Sequence, residues 1–535
     1  QIRLDGSVTA GALAKWLKHP LIGRFDGSTD YHAELNFGAA EGNGLVILSR
    51  LEGITADLPE PFAKPAQQPV DFAYIIRMDD RPMHYLGYGD QLQFALLYGE
   101  HGYRQGEIRV GGEPAVFEDI PGIRLVGDSD YLNVAQWQAF LDSLGGDEGA
   151  AAAKGSAGVP GSSGEESFAQ LLKQVQLKVE RLAFAGRDLE QVILEAEQIN
   201  GDWLLRLENP VVKGRLIDYA DPLKPLDINL EYLRLPASSA GDADPLQDLE
   251  PQSLSMIDFS TDEFTVAGEN YGSWSFKIRS NDKGAQIESI QASSRGLTIT
   301  GQLDWRYAQG SHSSQFSGAV NTRDVGAALE AWQFTRSIES GEASAVGELA
   351  WQGSPAMFSL LNTSGDLELA SKEGRFLEVE GTANVLRLFG ILNFSSLARR
   401  IRLDFSDLFK KGYSFDSLKG KLAFEQGEVQ IAESLIIDGP SAKFKIDGRT
   451  DLVNEQLDQE ILVVLPVGDN ITIAATIAGA PQVGIPLYLL NKMFGNMFDR
   501  FTSARYKVTG SWDDPKIELV KMFDTGNDKR DTKSK

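Results

Sequence analysis

The chain has 535 residues, of which 42% are hydrophobic and 24% are charged, so it is long enough for several domains and too polar for a bundle of membrane helices. Its 51 lysines and arginines stand against 76 aspartates and glutamates, and the net charge of −25 opposes binding to the phosphate backbone of nucleic acids. The absence of cysteine excludes disulfides, thiolate metal sites and cysteine nucleophiles.

Polar stretches divide the sequence into segments. It opens at Gln1 without a methionine or a signal peptide, so we expect a fragment of a longer protein whose N-terminal part carries any anchor or export signal. Residues 145–165 contain GGDEGAAAAKGSAGVPGSSG, which predicts a flexible linker or loop, and the acidic stretch 238–252 separates two strongly patterned regions. The predicted segments are a β-rich segment at 1–144, a second at 166–330, a C-terminal module at 331–523 and a polar tail at 524–535.

Strands dominate the predicted elements, and helices are few. In chain order, a helix is predicted at Gly11–Leu17, and alternation predicts strands around Val175–Val179, Leu226–Tyr232, Trp274–Ile278 and Leu297–Trp305. A helix at Val325–Trp332, a helix at Leu386–Arg402, a strand at Ile471–Ile477 and an amphipathic helix at Pro486–Thr502 follow.

The alternation gives each strand one apolar face, which is typical of an antiparallel sheet with a dry and a wet side. Two arrangements stay open. Stacked β-sandwich domains would bury paired faces against each other, and composition favours them. A single long curled sheet would leave its concave side as a hydrophobic groove able to hold acyl chains. The lining residues predicted for such a groove are Leu226, Ile228, Leu230, Trp274, Phe276, Ile278, Ile471, Ile473 and Ile477.

Two further features belong to the C-terminal module. The apolar stripe of the helix at Pro486–Thr502 predicts either a cap on the groove or a membrane contact, and consists of Leu487, Leu490, Phe494, Met497 and Phe501. A basic cluster is formed by Arg399, Arg400 and Arg402 with Lys410 and Lys411. We interpret the three arginines first as a solvated face and second as a contact for anionic head groups.

Motifs for catalysis are absent from the sequence. The five histidines show no metal-ligand spacing, and there is no nucleotide-binding loop or serine-nucleophile elbow. We therefore predict no catalytic residue, no metal and no cofactor. Pairs of carboxylates occur as expected among 76 acidic residues, so a carbohydrate enzyme with two catalytic acids stays open as an alternative.

The C-terminal region carries a longer pattern. Tyr506 to Ile517 read Y-x-V-x-G-x-W-x-x-P-x-I, and they follow ITIAATIAGAPQVGIPLYLLNKMF, which begins at Ile471. Upstream are GELAWQGSP from Gly347 and LELASKEGRF from Leu367. These segments resemble the YhdP branch of the AsmA-like family, and 331–523 resembles the C-terminal module of that family.

The resemblance implies a fold and a function. It implies the repeating β-groove of bridge-like lipid transfer proteins, in the periplasm of a Gram-negative bacterium, with an inner-membrane anchor absent from this chain. Phospholipid would pass along the groove from the inner towards the outer membrane, so the implied partners are phospholipids, both membranes and envelope proteins. An envelope scaffold or outer-membrane assembly factor without lipid transport is the alternative.

Overall fold

The structure is a computed structural model. It describes residues 1–522 except 18–19, 39–42, 79–80, 100–101, 145–170, 185–186, 237–243, 335, 378–412, 441, 465–502 and 513. The chain divides into two compact units. The first is Gln1–Leu235 with Ser260–Glu263, and the second is Pro236–Phe259 with Phe264–Lys535.

The first unit is built on an ordered series of strands. They are β1 Ile2–Thr9, β2 Phe25–Asn36, β3 Gly44–Ser49, β4 Ile54–Ala56, β5 Phe72–Arg77, β6 Met83–Tyr88, β7 Leu92–Gly99, β8 Gly102–Val110, β9 Gly122–Asn133, β10 Leu172–Phe184, β11 Arg187–Ile199, β12 Asp202–Glu208, β13 Val212–Asp218 and β14 Leu226–Leu235. Each pairs with the next in the chain, except that β3 pairs with β5 and β4 pairs with the start of β2. Hairpin sequences match this order, since Asn200 and Gly201 both have positive φ in the two-residue turn between β11 and β12.

One strand departs from the expected antiparallel order. Strand β9 runs parallel to both of its neighbours, β8 and β10. Parallel neighbours need a connection that returns the chain to the same end of the sheet. Residues 111–121 provide it before β9, and the segment that begins with the helix Val134–Leu144 provides it afterwards. The local alternation of a strand does not report the direction of its neighbour, so the sequence did not predict this exception.

The second unit continues as a meander. Its strands are β15 Ile257–Val266, β16 Glu269–Asn270, β17 Ser273–Asn281, β18 Gly284–Ser294, β19 Leu297–Ala308, β20 Ser311–Thr322, β21 Ile338–Gln352, β22 Thr363–Phe376, β23 Tyr413–Glu425, β24 Glu428–Asp438, β25 Lys443–Asp451, β26 Gln456–Val464, β27 Ser503–Ser511 and β28 Lys516–Met522. Residues 260–263 of β15 fall in the first unit. From β17 to β28 every strand is antiparallel to the next.

Helices are short in the described part of the chain. They are α1 Ala10–Leu17, α2 Val134–Leu144 and α3 Val325–Ala331, with 3-10 turns at Pro20–Arg24, Pro251–Ser253 and Pro355–Met357. Helix α3 begins where Asp324 accepts a hydrogen bond from the amide of Ala327 at 3.0 Å. The helices predicted near the N terminus and at Val325 are thus present, whereas α2 was not predicted.

The predicted fold class is confirmed: the chain is mainly β and is built on a curled, unclosed sheet with few helices. Over the described ranges, the strands of each unit pair edge to edge instead of stacking as two facing sheets, so the sandwich alternative does not apply. Buried apolar side chains form three clusters, one containing Val192, one containing Trp305 and one containing Ile437.

Candidate functional site

Strand register aligns apolar residues across the first unit. Residues paired on neighbouring strands project from the same face of a sheet. One line of paired residues starts at Leu4 on β1 and crosses every strand to β14 except β4. Every residue in this line is apolar or aromatic. The line, which we name the first apolar row, consists of Leu4, Ala33, Ile47, Tyr74, Leu86, Phe94, Ile108, Leu125, Val175, Ala196, Leu205, Leu216 and Ile228.

The opposite face of these strands is more polar. Charged or amide side chains occupy both ends and the middle of the adjacent line, and apolar residues fill the gaps. It consists of Arg3, Glu34, Val46, Ile75, Tyr85, Ala95, Glu107, Arg124, Gln174, Glu197, Leu204, Ile217 and Asp227. The sheet of the first unit therefore has one apolar face, which we call the dry face, and one more polar face, which we call the wet face.

A buried ion cluster lies on the wet face. The side chain of Glu107 is 1% exposed, and its carboxylate accepts hydrogen bonds from Nε of Arg109 and from Nη2 of Arg124, both at 2.9 Å. Its Oε1 also accepts from the amide of Val116 at 3.2 Å. The buried carboxylate is thus satisfied by two cations and the loop that connects β8 to β9, which is what a buried charge requires.

The groove residues predicted on β14 lie on the dry face. Ile228 belongs to the first apolar row, and Leu230 is paired with Gly214 in the neighbouring line. Leu226, Ile228 and Leu230 are half-buried, whereas Asn229 between the last two is exposed. The structure brings the three side chains together on one face, and their contact with lipid stays a prediction.

A second apolar row crosses the second unit. It runs through every strand from β17 to β27, and Thr450 is its one polar member. The row consists of Ile278, Ile287, Leu303, Phe316, Leu349, Gly365, Phe424, Val429, Thr450, Leu457 and Gly510. The second unit therefore repeats the arrangement of the first, because neighbouring strands place apolar residues next to each other on one face.

The groove residues predicted on β17 also lie on this face. Trp274, Phe276 and Ile278 pack against the buried cluster that contains Trp305. The ring of Phe276 stacks on that of Phe259 with centroids 4.7 Å apart. The three side chains thus lie together, as the alternation along the strand predicts, and their contact with lipid stays a prediction.

A chain segment covers part of this face. Residues 244–254, which we name the strap, lie against β17, β18 and β19. Leu246, Leu249 and Leu254 of the strap pack on the same apolar cluster as Trp274. The sequence predicts only a polar separator at 238–252, because three leucines scattered among acidic residues and prolines form no helical or strand period. In the structure they cover the apolar cluster that contains Trp305.

Two polar contacts, which we name the latch, hold the strap. The carboxylate of Asp244 accepts from the amide of Ser354 at 2.7 Å and from its Oγ at 2.6 Å. Nε2 of His312 donates to the carbonyl of Gln247 at 3.0 Å, while Nδ1 of the same ring accepts from Nε1 of Trp305 at 3.1 Å. Burial acts to raise the pKa of Asp244, but the bonds from Ser354 outweigh it and the pKa is lowered.

Aromatic side chains of the C-terminal strands pack together in the second unit. Tyr413 on β23 and Phe444 on β25 have ring centroids 5.0 Å apart, although β24 lies between their strands. Tyr413 donates its hydroxyl hydrogen bond to the carbonyl of Ala442 at 2.5 Å. Phe444 and Ile437 are almost fully buried there.

Several predicted site residues lie outside the described residues. These are the groove residues Ile471, Ile473 and Ile477, the helix residues Leu487, Leu490, Phe494, Met497 and Phe501, and the arginines Arg399, Arg400 and Arg402. Their roles remain predictions.

Two other kinds of site are absent from the described ranges. There, no group of histidine, aspartate and glutamate side chains is arranged to hold a metal ion. In the same ranges no helix is both long enough and apolar enough to cross a membrane.

The sequence did not single out the lining residues of the N-terminal strands. Strand β5 shows no alternation of apolar and polar residues around Tyr74 and Ile76, because Ala73 and Ile75 on the other face are apolar too. The clearer signal was in β7, where Leu92, Phe94 and Leu96 have period-two spacing.

Comparison with known proteins gives a consistent result. A family model described as YhdP protein matches residues 1–517. The chain is similar to the intermembrane phospholipid transporter YhdP of Escherichia coli strain K12, at 25% identity over 222 residues. The aligned region is 42% of this chain and 17% of that relative, so the chain matches a small part of the relative's length. No solved structure matches the chain.

Proposed function

Since the chain belongs to the YhdP protein family, we propose that its apolar sheet faces form a conduit for phospholipid acyl chains. The single observation that carries the proposal is the first apolar row, in which one apolar side chain follows another from β1 to β14. With neighbouring strands ~4.8 Å apart, the row offers an acyl chain an unbroken path of roughly 55 Å. Head groups would stay in water beside the sheet.

The energetics suit transport better than storage. Each buried methylene contributes about 0.8 kcal/mol, whichever strand it contacts. Because successive positions in the row are chemically alike, a lipid gains similar free energy at each of them and meets no deep minimum. The chain itself then needs no catalytic group, and we propose that it acts as a transporter and not as an enzyme.

The location and direction are part of the proposal. The Escherichia coli relative is named as an intermembrane phospholipid transporter. We therefore assign this chain to the periplasm, as part of a longer protein anchored in the inner membrane, and infer that phospholipid moves along it towards the outer membrane.

The test compares two substitutions that add the same charge one residue apart. Ile228→Asp puts a carboxylate on the dry face, whereas Asn229→Asp puts one on the exposed face of the same strand. A carboxylate in an apolar lining costs several kcal/mol. We expect mass spectrometry of the organic extract to find phospholipid with the wild type and with Asn229→Asp, and much less with Ile228→Asp. Equal lipid content in all three proteins would contradict the conduit.

The alternative function is an envelope scaffold or an outer-membrane assembly factor without lipid transport. It predicts that the purified wild-type chain carries no phospholipid and forms stable complexes with envelope proteins. A photo-crosslinking residue at Leu205, in the first apolar row, separates the two functions. The conduit predicts crosslinks to lipid at Leu205 and few at the adjacent exposed Arg206, whereas the scaffold predicts protein crosslinks alone.

A further inference from the structure

Three tyrosines and a histidine gather at one edge of the dry face of the first unit. This tyrosine–histidine cluster consists of Tyr74 on β5, His84 on β6, Tyr98 on β7 and Tyr103 on β8. The ring centroid of His84 lies 5.7 Å from Tyr74, 5.0 Å from Tyr98 and 5.5 Å from Tyr103. Tyr98 and Tyr103 are paired next to the turn between β7 and β8, so the cluster sits at the ends of these strands.

The cluster belongs to the same face as the first apolar row. Tyr74 is a member of that row, and His84 lies two residues from Leu86, which is the next member. His84 is also paired with Leu96, whose side chain is buried. Polar atoms thus stand at the border between the apolar lining and water, where the head group of a lipid would lie if its acyl chains followed the row.

The hydrogen bonds within the cluster meet at Nδ1 of His84. Nδ1 of His84 lies 2.6 Å from the hydroxyl of Tyr74 and 3.4 Å from that of Tyr103. We assign the ring proton to Nε2, so that Nδ1 accepts a hydrogen bond from the hydroxyl of Tyr74. Burial lowers the pKa of His84 and raises that of Tyr74, so both groups stay neutral.

Two groups of the cluster can donate hydrogen bonds outside it. In the part of the chain that the structure describes, neither Nε2–H of His84 nor the hydroxyl of Tyr98 has a protein acceptor. Their rings are stacked, with centroids 5.0 Å apart and an interplanar angle of 16°. Tyr98 is 43% exposed, so a ligand can reach it.

We propose that this pair of donors binds the phosphodiester oxygens of a phospholipid whose acyl chains lie along the first apolar row. The inference rests on the proposed lipid function and adds a position for the head group. Neutral donors suit a phosphodiester because hydrogen bonds to an ionised oxygen are about twice as strong as those to a neutral one. They add no positive charge, so a free anion gains little at a protein with a net charge of −25, whereas a lipid is also held by its chains.

The test measures binding of two fluorescent lipids with identical acyl chains to the purified full chain. One is a phosphatidylethanolamine and the other is the corresponding diacylglycerol, which lacks the phosphate. The wild type should bind the phospholipid more tightly. Tyr98→Phe, which removes one hydroxyl at an exposed position, should weaken phospholipid binding about tenfold and leave diacylglycerol binding unchanged. His84→Gln is the second variant, and Tyr85→Phe on the opposite face is the matched control.

The outcomes separate this proposal from the one it rests on. If the wild type binds neither lipid, the conduit itself fails. If it binds both lipids equally well and Tyr98→Phe changes nothing, the conduit stands and the head-group site is wrong. Inorganic phosphate, added without lipid, should leave tyrosine fluorescence unchanged. A saturable change that is lost in Tyr98→Phe would identify a site for free phosphate instead and overturn the lipid assignment.

Discussion

Removal of the latch carboxylate should open the strap. In Asp244→Ala, the amide and the hydroxyl of Ser354 lose the oxygens to which they donate at 2.7 and 2.6 Å. Hydrogen bonds to charged groups stabilise by about 1.5–3 kcal/mol each. Water partly replaces Asp244 once it is removed, so we expect a loss of about 2–3 kcal/mol for the pair. That raises the population of the open strap by roughly 30- to 150-fold.

Hydrogen exchange measures this opening. The amides of Leu249 and Leu254 donate to carbonyls within the strap and exchange when it opens. They should exchange faster in Asp244→Ala by the same factor, while amides of β24 and β25 keep their rates. Asp248→Ala is the control, because Asp248 is an exposed carboxylate of the same strap. Equal exchange of the strap in the two variants would refute the latch.

Three further results are expected. Glu107→Ala leaves two arginines without their buried partner and should cost about 3 kcal/mol in urea unfolding, whereas Glu113→Ala, at an exposed partner of one of them, should cost less than about 1 kcal/mol. Gly347→Ala places a Cβ 2.0 Å from a carbonyl oxygen of β22 and should lower the thermal midpoint strongly; Gly341→Ala on the same strand meets open space, and an equal loss there would argue against the clash. Because the pKa of Asp244 is lowered, the latch should be complete above about pH 4 and should be lost as the pH falls through the folded-state pKa, so strap protection that is constant down to pH 2 would contradict it.

The sequence predicts well what alternation along one strand determines. The spacing of Leu226, Ile228 and Leu230 assigned them to one face, and the same holds for Trp274 and Ile278 on β17. This works because side chains in a strand alternate strictly between two faces. It also explains why a mainly β fold was predicted without knowledge of strand order, since one-sided strands require a sheet with a dry side.

Contacts between distant segments could not be predicted in this way. Register decides that Ile228 shares a line with Leu4, and no local pattern carries that information. The strap looked like a polar separator because its leucines have no regular spacing. The tyrosine–histidine cluster was not predicted, because its members come from four strands. His84 also has no second histidine at a spacing typical of metal ligands. The direction of β9 depends on two connections and not on its own residues.

The apolar rows run across the strands, so the length of the apolar path depends on the number of strands and not on the length of each strand. Every hairpin added to such a sheet lengthens the path by about 9.6 Å, and the path stays apolar as long as the new strands keep their phase. A single inserted residue inside one strand reverses the faces beyond it and interrupts the path. The length of such a sheet can therefore change in steps of one hairpin without interrupting its apolar face.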